Sequence, residues 1–151
     1  MDYQHSQAGW VIRVAIGWGI LISLISPIRV ALVRDALPSL VGLAPAGLLL
    51  VVLLLFHNLT VRMDSERLRV SFGIGLIRYR FLIRDIQSFA PAKSAWHKGW
   101  GIRKIQHGWL LNVSGFESVE IVLRNGRVYR IGTDDQKGLL EAIESALHQS
   151  T

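Results

Sequence analysis

Residues 37–56 read LPSLVGLAPAGLLLVVLLLF, a run in which no side chain is charged. At about 1.5 Å of rise per residue, a helix of that length covers roughly the 30 Å hydrocarbon core of a bilayer, so the run predicts a transmembrane helix. Upstream, the apolar stretch from Val14 to Ile28 is bounded by Arg13 and Arg29, whose long side chains can carry their charge to an interface. Trp10 stands where an interfacial ring belongs, and Pro27 and Pro38 punctuate the link between the two runs. The expectation is a helical hairpin, with helices at about 10–28 and 37–57, forming a membrane anchor over residues 1–57. Gly42, Pro45 and Gly47 suit a helix that packs closely on a neighbour. A cleaved leader is the competing reading of the first run, but no small-residue cleavage site follows it promptly.

Charge divides the chain in the same place. Residues 58–151 hold fourteen Lys and Arg against nine Asp and Glu, a net of +5, while residues 1–57 hold Arg13, Arg29 and Arg34 against Asp2 and Asp35. Near the predicted helix ends, Arg13, Arg62, Arg67 and Arg69 outnumber Arg29 and Arg34 in the connecting loop, which favours both termini inside. The localisation expected is a multi-pass protein of an inner (cytoplasmic) membrane with its second domain cytoplasmic. For a tethered basic domain the nearest anionic partner is membrane lipid, ahead of nucleic acid. The absence of cysteine excludes disulfides, thiolate metal sites and cysteine nucleophiles.

From Leu59 the apolar period changes to two: Leu59, Val61 and Met63, then Leu68, Val70 and Phe72, then Ile77, Tyr79, Phe81 and Ile83. Turns are signalled at Asp64-Ser65-Glu66 and Gly73-Ile74-Gly75. A strand at 86–90, an irregular stretch at 91–108, and strands at 109–113, 119–124 and 128–132 follow. Asn125-Gly126 between the last two marks a tight hairpin. Leu139, Leu140, Ile143 and Leu147 then share one face of a helix that Thr133 or Asp134 can cap. Seven strands and one helix predict an antiparallel barrel or sandwich with its open end plugged.

Three segments carry a resemblance. Gly99-Trp100-Gly101-Ile102-Arg103, the run from Gly108 to Gly115 (GWLLNVSG), and Ile131-Gly132-Thr133-Asp134 before the helix look like the bacterial pleckstrin-homology-like membrane proteins. These carry two membrane helices ahead of the domain. The resemblance implies an α+β membrane protein in which a transmembrane hairpin precedes a PH-like seven-stranded antiparallel barrel capped by a C-terminal helix. It brings no catalytic residue with it.

If successive strands run away from the membrane and back, the proximal connections gather Lys93, Lys98, Arg103, Lys104, Arg124 and Arg127, with Trp96 and Trp100 as interfacial rings. These eight residues are the expected lipid- or partner-binding set. In the competing reading, Trp96, Trp100 and Trp109 pack over the barrel mouth and the lysines are solvated surface. Inositide recognition at the first hairpin is disfavoured by Asp64 and Glu66, which repel a phosphorylated headgroup.

Catalytic and metal signatures are not found. The histidines at positions 5, 57, 97, 107 and 148 show no ligand spacing, Ser114 lies in Val-Ser-Gly rather than a nucleophile elbow, and Asp134 and Asp135 sit at a helix start. The functional expectation is a non-enzymatic, membrane-anchored scaffold or binding module without cofactor, contacting membrane lipids, further copies of itself or another membrane protein. The alternative is an accessory subunit of a membrane enzyme, a transporter or an envelope-stress signalling system.

Overall fold

The structure is a computed structural model and describes residues 3–34, 40–93, 101–106 and 108–149. Strand β1 (Tyr3–Ala8) opens the chain, followed by helices α1 (Trp10–Arg34) and α2 (Leu40–Phe56). Then come β2 (Asn58–Met63), β3 (Arg67–Phe72), β4 (Ile77–Leu82), a 3-10 turn at Ile83–Asp85 and β5 (Ile86–Lys93). The rest is β6 (Gly101–Ile105), β7 (Gly108–Asn112), β8 (Glu117–Leu123), β9 (Val128–Gly132) and α3 (Gln136–Gln149).

The strands form two sheets, ordered β1-β2-β3-β4 and β5-β8-β9-β7-β6. Alternation explains the first sheet: Leu59, Val61, Met63, Leu68, Val70 and Phe72 are buried, while Thr60, Arg62, Arg67 and Arg69 stay outside the core. Their inward faces meet Val119, Ile121 and Ile131 of the second sheet, and Leu139 and Ile143 of α3 fill the same core. The amide Nε2 of Gln136 fixes α3 by donating to the carbonyl oxygens of Ala92 (3.1 Å) and Ser118 (2.7 Å). The α3 cap is Asp135, whose Oδ1 accepts the Gly138 N–H at 3.0 Å, rather than Thr133 or Asp134.

Three sequence expectations are corrected here. The barrel does not close: two separate sheets each keep two edges, and β7 pairs β9 in parallel, Trp109 opposite Tyr129, where an antiparallel barrel was expected. Two strands were missed, β1 and β6. The third correction concerns the anchor. Helix α2 has 17 residues and reaches about 25 Å, short of a roughly 30 Å core. Helix α1 has 25 residues but carries Arg13, Arg29 and Arg34, so its longest uncharged stretch is the one between Arg13 and Arg29. Among the described residues no helix is long and apolar enough to cross a membrane. The transmembrane hairpin, the membrane-protein fold class and the multi-pass inner-membrane localisation are therefore set aside.

Helices α1 and α2 nevertheless pack on each other. The Gly9 N–H donates to the His57 carbonyl at 2.9 Å, and Gly19 lies against the Leu49 side chain, so the helices run antiparallel. The turn after β3 seats the base of the pair: Gly73 has φ +51°, and its α-carbon faces the Leu54 and Leu55 carbonyls so closely that a β-carbon there would lie 2.2 Å from the first.

Candidate binding surface

The described members of the expected basic set do not form one patch. Lys93 ends β5 directly opposite Glu117. Arg124 and Arg127 lie at the other end of β8, in a turn closed by Leu123 N–H donating to the Arg127 carbonyl (2.9 Å) and Gly126 N–H donating to the Leu123 carbonyl (2.8 Å). Gly126 takes φ +79° there, as Asn125-Gly126 predicts. Because β7 and β9 are parallel, the start of β7 abuts the start of β9, and this brings Lys104, opposite Trp109, to the same end as Arg127. A notch of about 390 Å³ between Trp109 and Arg127 marks the place. Trp96, Lys98 and Trp100 lie outside the described residues.

Arg103 has a different setting. It lines a groove of about 560 Å³ whose walls are Val11, Ile12, Ala15 and Ile16 of α1, Val52 and Phe56 of α2, and Gly101 and Ile102 of β6. Strand β6 is a sheet edge, hydrogen-bonded on one side to β7 alone. The groove thus combines an apolar wall, an edge strand and a guanidinium group.

Beyond the groove, the outward side of the helix pair is apolar and exposed. Trp18, Ile22 and Leu48 show 62%, 62% and 67% of their surface, and Val14, Leu21, Ile25, Val51 and Leu54 continue the face. Single exposed apolar residues are common, whereas these recur at helical spacing along the pair. The sequence signals for this face were the apolar run from Val14 to Ile28 and the uncharged run 37–56, both read as membrane helices.

Polar chemistry clusters where β1 meets α3. The Tyr3 hydroxyl donates to Asp135 Oδ2 at 3.1 Å, and His5 Nε2 lies 2.5 Å from Asp134 Oδ1. Burial, then the hydrogen bond to Asp135 and that residue's charge, push the Tyr3 phenol above its ordinary range. At the first hairpin, Asp64 Oδ1 accepts the N–H groups of Glu66 (3.1 Å) and Arg67 (2.7 Å), and Arg69 Nη2 lies 3.0 Å from Oδ2. Slight burial works in the raising direction, but these N–H groups and the Arg69 and Arg67 charges outweigh it, holding Asp64 below the usual carboxylate range. Among the described residues no three His, Cys, Asp or Glu side chains gather to hold a metal ion. Compared with known proteins, the chain matches no family model and no curated protein, so its functional residues are read from this geometry alone.

Proposed function

We propose that this chain is a non-enzymatic binding module that works as a scaffold. The α1–α2 pair is its attachment element, and the two-sheet body is the part it presents. The observation that carries this reading is the exposed apolar face of the pair, with Trp18, Ile22 and Leu48 each more than half uncovered. Leaving that much apolar surface in water costs free energy at about 25 cal/mol per Å², so a cover contributed by a partner or a further copy is favourable. Gly73 and Gly9 hold the base of the pair against the body, so a partner on the helices is held at a fixed position relative to the sheets.

Affinity purification of the tagged full chain in mild detergent, with mass analysis of what is retained, tests the reading. A stoichiometric protein partner or a defined multimer supports it. A chain recovered as a bare monomer without partner or detergent shell overturns it.

A further inference from the structure

The outer face of the first sheet carries an unusual row. In register, Arg62 lies opposite Arg69, and Arg69 opposite Arg80, so three guanidinium side chains stand side by side on adjacent strands β2, β3 and β4. Two residues along, on the same face, the row is Thr60, Ser71 and Arg78. The two rows border a cleft of about 340 Å³. All four arginines are exposed. Among the described residues one carboxylate answers them, Asp64 on Arg69 at 3.0 Å, and no ion pair reaches Arg62, Arg78 or Arg80. Arg78 instead donates to the Gly75 carbonyl, which folds its head back over the turn beside the cleft.

Like charges directly opposite one another weaken a sheet, so a triple arginine row works against the fold unless an anion neutralises it. Arginine forks match phosphate oxygens in pairs. In the same cleft the Ser71 hydroxyl already donates to the Thr60 carbonyl (3.4 Å) and the Thr60 hydroxyl pairs with Ser6 Oγ (3.0 Å), so the guanidinium groups are the donors on offer. Strands are about 4.8 Å apart, so the row across three strands extends for roughly 10 Å. That reach exceeds one phosphate and suits an anion carrying two or more linked or neighbouring phosphates. We propose that this cleft is a polyphosphate-type anion site, with Arg62, Arg69 and Arg80 as its principal ligands and Arg78, Thr60 and Ser71 along its rim. The site is distinct from the apolar face of α1–α2 and stands or falls separately from it.

The test is calorimetric titration of the full chain with tripolyphosphate at fixed ionic strength, with sulfate as the control anion. Arg62→Gln/Arg80→Gln together should weaken tripolyphosphate binding at least about tenfold, and Lys137→Gln on α3 should leave it unchanged. Thermal melting supplies the second readout: without anion the double variant should melt no lower than the parent, and added tripolyphosphate should raise the parent's midpoint but not the variant's. Equal binding by parent and double variant, or tripolyphosphate no tighter than sulfate, overturns the proposal. Vesicles bearing a multiply phosphorylated headgroup distinguish the sources. Capture that free tripolyphosphate displaces assigns the site to a headgroup, whereas binding of the free anion without vesicle capture assigns it to a soluble phosphate.

Discussion

Gln7 and Ser114, 107 positions apart in the chain, are joined by a 2.8 Å hydrogen bond in which the Gln7 Nε2 amide donates to the Ser114 carbonyl. The Ser114 hydroxyl returns a bond to the Ala8 carbonyl, also at 2.8 Å. Both side chains are buried. This exchange ties the edge strand of the first sheet to the loop after β7 and keeps β1 in place just ahead of α1. Ser114→Ala should therefore cost about 1 kcal/mol of stability by chemical denaturation. It should also speed amide exchange in β1 more than in β3, because β1 has a pairing partner on one side only.

Two glycines in tight turns separate backbone strain from steric collision. Gly126, at φ +79°, has open space where a β-carbon would go, so Gly126→Ala carries only the left-handed backbone penalty of about 1 kcal/mol. Gly73, at φ +51°, would push a β-carbon to 2.2 Å from the Leu54 carbonyl oxygen. Gly73→Ala should thus be distinctly the more damaging of the two and should loosen the seat of α2, as measured by thermal midpoint and by exchange at the amides after Leu54.

Two ionisable groups predict opposite pH limits. Asp64 is held below its ordinary value, so the contribution it makes is present above about pH 4, where the unfolded side chain is ionised, and is lost as pH falls through the depressed value. Asp64→Asn should remove part of the acid sensitivity while keeping an acceptor for the Glu66 and Arg67 N–H groups. Tyr3 is raised, so its contribution is full below about pH 10 and fades as pH climbs beyond that. Tyr3→Phe should cost about 1 kcal/mol at neutral pH and remove part of the alkaline loss of stability, both read from melting curves across pH.

Much of the body was legible because its strands alternate strictly. The runs predicted around Leu59–Met63, Leu68–Phe72 and Val128–Gly132 fall on β2, β3 and β9, and the helix predicted from Leu139, Ile143 and Leu147 falls on α3. Strand β1 was not legible, since its inward residues Tyr3, His5 and Gln7 are polar and find hydrogen-bond partners more than a hundred positions away. Strand β6 was lost within a stretch read as irregular, where Arg103 and Lys104 break any alternation. The parallel pairing of β7 with β9 is a long-range choice that no local period records, and so is the antiparallel pairing of β5 with β8, which sets Lys93 opposite Glu117 and Ile86 opposite Leu123 and thereby splits Lys93 from Arg124 and Arg127. In residues 37–56 absence of charge was read as a span; the described helix runs Leu40–Phe56, and residues 37–39 lie outside the described residues. The arginine row is not legible in the sequence, because Arg62, Arg69 and Arg80 become neighbours only once three strands are in register.

The attachment role of the helix pair is tested most directly by light scattering on the full chain after size-exclusion chromatography in detergent-free buffer. The parent should run as a multimer, and Ile22→Lys with Leu48→Lys, which place two charges on the exposed apolar face, should weaken self-association by about tenfold or more and shift the mass toward one chain. A parent that elutes as a monodisperse monomer without detergent, indistinguishable from the charged variant, and that retains no stoichiometric partner on affinity purification would contradict the account.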